Sequence, residues 1–214
     1  MSLSAVSERF PGVRTPERRM SAAEWATLPD DEPGELVDGR VVEEELASGT
    51  HELVVGWFGR TLGNWVDPLG GFVFGSELKF ALGEGHGRKP DLTVFFPGSK
   101  LPPPIGIVET PPDLAVEVVS PSPKDARRDR VEKLAEYAAF GVRWYWIVDP
   151  QLRSLEIHEL GPDGRYALTP SSTAAAGVVE AVPGCEGLTL DLRGLWSRVD
   201  RLAGAAQGTQ GPAR

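Results

Sequence analysis

The stretch "PDLAVEVVSPS", Pro112 to Ser122, limits the fold more than any other part of the chain. Side chains of a strand alternate, so Leu114, Val116 and Val118 face one way and Ala115, Glu117 and Val119 the other. Apolar residues on both faces describe a central strand covered on both sides. Glu117 interrupts that pattern. An ionised carboxylate there is costly unless it is paired, hydrogen-bonded or bound to a metal. The structural alternatives are a buried ion pair or an edge strand with one wet face.

The flanking segments supply the covering layers. "MSAAEWATLPDD" sets Ser21 three residues before Glu24, the capping-box spacing, and predicts a short helix. "GELVDGRVVEEE" has apolar runs on either side of Asp38-Gly39, a hairpin signal. "SGTHELVVGWFGRTLGNWVDPLGG" places Leu53, Trp57, Arg60, Leu62 and Trp65 in a helical rhythm, begun by Ser48 or Thr50 and stopped by Pro68 and Gly70-Gly71. Three strand-like runs follow, "GFVFGSELKFAL", "DLTVFF" and "DLAVEVVS". "SPSPKDARRDRVEKLAEYAAFG" predicts a helix with Ser122 as N-cap, Pro123 at its first position, Asp125 at capping-box spacing and Gly141 as terminator. "VRWYWIVDP" and "SLEIHEL" are strands with a turn at Asp149-Pro150. This order predicts an α/β or α+β core, a mixed β-sheet flanked by helices, with an N-terminal helix and hairpin as an extension.

The 214 residues are enough for one domain with a full core. Residues 1–19 lack periodicity and 202–214 are rich in Gly, Ala and Gln, so a flexible lead-in and a frayed tail are expected around a domain at 20–201. No apolar run approaches the roughly 18 residues of a membrane span. Residues 1–20 lack the apolar core of a signal peptide, and the lone Cys185 allows neither an internal disulfide nor a Cys-rich zinc site. A cytoplasmic setting is expected. The net charge of −9 argues against coating nucleic acid by bulk electrostatics. Any such contact must be local, and the cationic runs available are Arg88-Lys89 and Lys124 through Arg130, which also read as solvated loop and helix-end charges. Neither a Gly-x-Ser-x-Gly elbow nor a His-Glu-x-x-His helix is present, so a small-molecule hydrolase has no support.

A second carboxylate raises the same question as Glu117. In "RKPDLTVFFP", Asp91 follows Pro90 and leads an apolar strand. Alone, Pro-Asp is ordinary loop punctuation. Two acidic residues on successive strands can meet at one end of a sheet. Such oxygens suit a hard divalent cation like Mg²⁺, which takes one or two protein carboxylates plus waters and a phosphate. That combination points to metal-assisted hydrolysis of a phosphodiester.

Pro90-Asp91, the Glu117 strand, and the succession "EVVSPSP", "DRVEKLAEY" and "GVRWYWIVDP" resemble the Uma-type restriction endonuclease family, a branch of the PD-(D/E)XK nucleases. The likeness covers about residues 20 to 160. It implies a restriction-endonuclease-like fold and an endonuclease acting on nucleic acid, DNA first, with Asp91 and Glu117 holding Mg²⁺ or Mn²⁺. It also draws in Glu35 of "ELVDGRVVE" and His51. Glu35 either completes a metal shell or edges the hairpin as an ordinary exposed carboxylate. His51, with an ordinary pKa near 6.5, either assists proton transfer or caps a helix.

The superfamily pattern places a Lys two residues after the strand Glu, where Val119 stands here. The resemblance implies that Lys133 of "DRVEKLAEY" supplies the cation instead, with Arg130 in reserve. A helical wheel leaves two faces open. Leu134, Tyr137 and Ala138 would set Lys133 at the flank with Arg130 nearer the middle, whereas Val131, Leu134, Ala135 and Ala138 would turn Lys133 outward. Tyr137, Trp144, Tyr145 and Trp146 read as core and sheet packing, Asp149 as a turn residue, and Glu77 as an outer-ligand candidate. The missing Lys at 119 also motivates an alternative, an inactive nuclease-fold module that binds nucleic acid or a protein. Cutting both strands of a duplex would suit a two-fold homodimer.

Overall fold

The computed structural model describes residues 19–29, 34–42, 47–121, 127–169 and 177–208. Helix α1 (Ala22–Ala26) starts with both halves of the capping box between Ser21 and Glu24. Strands β1 (Glu35–Val37) and β2 (Arg40–Val42) form the hairpin. Its turn residues, Asp38 (φ 50°) and Gly39 (φ 72°), both have the positive φ that a type I′ turn requires. Helix α2 (Gly49–Val66) begins at Ser48, whose side chain accepts from the His51 amide. It ends in a 3₁₀ turn at Asp67–Leu69 and the left-handed Gly70.

Five strands follow: β3 (Phe72–Phe74), β4 (Phe80–Gly83), β5 (His86–Arg88), β6 (Leu92–Phe95) and β7 (Leu114–Val118). A π-helical turn, Arg128–Lys133, leads into α3 (Leu134–Phe140), which Gly141 terminates at φ 92°. Then come β8 (Trp144–Asp149), β9 (Ser154–Leu160), β10 (Tyr166–Leu168), β11 (Val178–Val179), β12 (Leu190–Asp191) and α4 (Leu192–Gly208).

The main sheet runs β10-β9-β8-β7-β6-β3, so β7 is central, as its two apolar faces predict. β7 and β8 are parallel, and the other pairs in this sheet are antiparallel. The parallel pair needs a crossover, which α3 supplies. On one face Leu114, Val116 and Val118 pack with Val54, Phe58 and Leu62 of α2 and with Leu195 and Trp196 of α4. On the other, Ala115 and Val119 pack with Tyr137, Val142, Tyr145 and Ile147. The fold is a mixed α+β core with helices on both faces of the central strands, and the hairpin lies in a second sheet ordered β2-β1-β5-β4.

Three expectations need correction or limitation. "GFVFGSELKFAL" is two strands: β3 pairs with β6, while β4 pairs with β5 in the second sheet. β5 escaped notice because "HGR" has no strand pattern. Gly87 stands there because Trp25 of α1 lies against it, and a Cβ would come within 2.4 Å of that ring. Residues 202–208, expected in a frayed tail, continue α4. Leu195 and Trp196 anchor this helix in the core, and the Ala-rich segment beyond them extends it through good helix propensity. The capping residues Ser122, Pro123 and Asp125 lie outside the described residues. Among the described residues no helix is long and apolar enough to cross a membrane.

Candidate active site

The β6–β7 register pairs Leu92 with Val116, which brings Asp91, just ahead of β6, beside the C-terminal end of β7. There Asp91 Oδ2 accepts from the Val118 amide at 2.7 Å. One hydrogen bond thus ties the Pro-Asp corner to the residue after Glu117. His51, in the first turn of α2, places Nε2 3.2 Å from the same Oδ2.

Glu117 is only 3% exposed. Its Oε1 accepts from the Tyr137 hydroxyl at 2.7 Å and lies 3.0 Å from Lys133 Nζ. Among the described residues, Asp91 Oδ1 and Glu117 Oε2 carry no hydrogen bond. Both residues line a cleft of about 150 Å³ together with His51, Ser120, Arg128 and Lys133. Each carboxylate therefore spends one oxygen on the protein and keeps the other for the cleft.

Lys133 reaches this position through the π turn. A π turn holds more residues than an α turn, so a wheel drawn at 100° per residue misplaces what precedes it. Val131, 55% exposed, rules out the face that would turn Lys133 outward. On the other face Tyr137 is buried with Leu134 packed beside it and Lys133 is buried at the flank, but Arg130 does not take its middle. Lys133 Nζ sits 3.0 Å from Glu117, 3.4 Å from Glu35 Oε1 and 3.5 Å from Asp129 Oδ1. Arg130 points elsewhere, with Nη2 2.9 Å from Glu156 and 3.1 Å from Asp149. The reserve cation is not brought to the cleft.

Glu35 is neither an exposed hairpin carboxylate nor a wall of the cleft. It is buried behind Lys133, held by Arg88 Nη1 at 2.7 Å and the Lys89 amide at 3.1 Å. Arg88 in turn donates to both oxygens of Glu136, at 2.6 and 2.9 Å. Arg88 is thus a buried strut, not a solvated charge. Glu77 is largely exposed, pairs with Lys89 and stays outside the cleft. Asp149 Oδ1 accepts from the Gln151 and Leu152 amides at 2.9 Å each, consistent with a turn residue.

Sequence reasoning missed Asp129 and the hydroxyl of Tyr137, and had Arg128 only as part of the cationic run Lys124 through Arg130. Asp129 stands four residues before Lys133, a helix-pair spacing that was readable. Tyr137 is a core ring as expected, and nothing in the sequence showed that its hydroxyl would reach Glu117.

Charge explains how these groups behave. Burial raises the pKa of Glu117 well above the ordinary carboxylate value; Lys133 opposes this, and the nearby Asp91, Asp129 and Glu35 charges reinforce it. Burial likewise raises Asp129, against Lys133. Glu35 behaves oppositely: burial pushes it up, but Lys133, Arg88 and the Lys89 amide outweigh burial and lower it. Burial would lower His51, and its hydrogen bond and charge contact with Asp91, aided by Glu52, raise it.

Four carboxylates, Glu52, Asp91, Glu117 and Asp129, line the cleft against the two cations Arg128 and Lys133 and His51, a balance that favours an added cation. Among the described residues no three His, Cys, Asp or Glu side chains form a ready-made metal cage. Mg²⁺ rarely needs one: one or two carboxylates with waters and a phosphate suffice. The cleft-facing oxygens of Asp91 and Glu117 fit that requirement.

The fold and the cleft together define a mixed-sheet α+β protein with two carboxylates and a lysine gathered at the end of its central strands. The chain belongs to the Uma2 family, described as "Putative restriction endonuclease", whose family model matches residues 22–193. Among solved structures it is similar to a crystal structure described as a putative nuclease belonging to DUF820 from Anabaena variabilis ATCC 29413. The match has 19% identity and a TM-score of 0.62, covering 83% of this chain and 98% of that one. At that identity the likeness concerns the fold. Comparison with curated proteins finds no match.

Proposed function

We propose that this protein is a divalent-metal-dependent endonuclease that hydrolyses phosphodiester bonds of nucleic acid, with DNA as its substrate. The observation that carries this reading is the meeting of Asp91 and Glu117 at the end of β6 and β7, with Lys133 Nζ 3.0 Å from Glu117. Asp91 and Glu117 would hold Mg²⁺ or Mn²⁺, which supplies Lewis-acid polarisation of the phosphodiester and a lower pKa for the attacking water. Lys133 takes the part of the cation missing at Val119, orienting the water and balancing negative charge that develops on the phosphate. Tyr137 fixes the rotamer of Glu117 through its 2.7 Å hydrogen bond, and the Glu35–Arg88–Glu136 chain braces Lys133 from behind. His51 lines the same cleft with its pKa raised by Asp91, and in this reading it serves as the proton donor to the leaving oxygen.

The inactive-module alternative rests on Val119 and on the net charge of −9. Lys133, 3.0 Å from Glu117, bears on the first of these grounds and supports the enzyme reading. The test is cleavage of plasmid and of DNA and RNA oligonucleotides in Mg²⁺, in Mn²⁺ and in EDTA. Wild type is expected to cut DNA only with metal, and Asp91→Ala, Glu117→Ala and Lys133→Ala each to lose about 10²-fold or more. Intact DNA and RNA in both metals would overturn the reading, and full activity of Lys133→Ala would remove Lys133 from it. If duplexes are cut on both strands, sedimentation should show a two-fold dimer.

A further inference from the structure

A second concavity adjoins the cleft. It is an open groove of about 490 Å³ between α2 and α4, and Glu52 is common to both. Leu53, Gly56 and Leu202 form its floor, and Arg60, Arg198 and Arg201 stand around it. All three arginines are exposed. None has an ion pair or hydrogen bond among the described residues, although the chain carries a net charge of −9. In so acidic a protein, three guanidinium groups from two helices converging without carboxylate partners need an explanation.

The neighbouring carboxylates are engaged elsewhere. Asp200 of α4 pairs with Arg153, and Asp191 accepts from the Gly194 amide. Glu52, the one carboxylate lining the groove, lies on its catalytic side, 3.5 Å from His51 Nδ1. Gly56 leaves the space open on α2, where the Arg60 guanidinium passes over the missing side chain at 3.5 Å from an ideal Cβ. Guanidinium forks match phosphate oxygens bidentately, and a small set of them suffices where bulk charge is unfavourable.

We propose that the α2–α4 groove is a backbone track, in which Arg60, Arg198 and Arg201 hold successive phosphates of the nucleic-acid strand on its way out of the catalytic cleft. This rests on the nuclease reading for its partner, but its test needs no cleavage. Binding of fluorescent single-stranded and duplex DNA to the full chain is measured by anisotropy in EDTA, across a salt series. The triple variant Arg60→Ala/Arg198→Ala/Arg201→Ala should lose tenfold or more in affinity. Its slope of log K against log salt should also flatten by about 2 to 3, near 0.9 per lost duplex contact and 0.7 per single-strand contact. The Arg→Lys triple should recover most of the slope, and Arg165→Ala, on the exposed β9–β10 turn, should change nothing. Unchanged affinity and slope in the Ala triple, with wild-type circular dichroism, overturns the track and leaves the catalytic reading standing. Loss of binding in the triple beside a wild type that cuts nothing does the reverse.

Discussion

Glu117 and Glu35 are both buried and both contacted by one ammonium group, yet their surroundings drive them in opposite directions. Glu117 sees three carboxylates besides Lys133; Glu35 sees Lys133, Arg88 and an amide. The signs follow. The raised Glu117 binds more protons folded than unfolded, so its contribution is fully present below 4.5 and is lost as pH rises through the folded value. The lowered Glu35 stabilises above 4.5, and that contribution is lost as pH falls through its folded value. In EDTA at pH 8, Glu117→Gln should therefore melt higher than wild type, with the gap closing towards pH 5. Glu35→Gln should be less stable at pH 7 by about 3 kcal/mol, since it leaves buried cations short of a partner. That deficit should vanish in acid. Thermal denaturation across pH checks both, and a lower-melting Glu117→Gln at pH 8 would contradict the charge excess on which cation binding rests.

The element that most shapes the cleft is the π turn. It lets Arg128, Asp129 and Lys133 face inward while Val131 stays in solvent and Arg130 reaches Asp149 and Glu156 on β8 and β9. Deleting Val131 removes no core contact and converts the turn to α geometry, which rotates one side against the other by about 100°. Lys133 and Arg130 can then no longer both meet their partners. The expected outcome is near-native far-UV circular dichroism with cleavage lost. Retained cleavage would mean that the turn is an accommodation without a role. The hairpin extension matters for the same geometric reason: β1 carries Glu35 and β5 carries Arg88, and their pairing sets both behind Lys133.

Seen entire, the protein is acidic, with a cluster of carboxylates in one cleft and, beside it, three arginines without partners among the described residues. A cation entering the cleft should stabilise the fold by mass action, about 2.7 kcal/mol at a hundredfold excess over Kd. For a chain of this size that is roughly 5 to 10 °C in Tm. Mg²⁺ or Mn²⁺ should raise the Tm of wild type by this amount, EDTA should reverse it, and Asp91→Ala should abolish it. No shift at millimolar metal would remove the metal site.

Much of this molecule was legible along the chain, because the signals concerned are carried by neighbouring residues. Alternation placed β7 in the middle of a sheet with Glu117 inside it, Asp38-Gly39 placed the hairpin turn, and Ser21, Ser48 and Gly141 placed helix ends. The family motifs singled out Asp91 and Lys133. What folding alone decided are the contacts between distant segments: the Val118 amide on Asp91, the Tyr137 hydroxyl on Glu117, and Glu35 moved from a hairpin edge to the back of the site by Arg88. The direction of Arg130 belongs to the same class, since an assumed α period cannot foresee a π turn. Local preferences are set by a residue's own backbone and next neighbours, whereas burial, partner and charge state depend on which remote elements close over it.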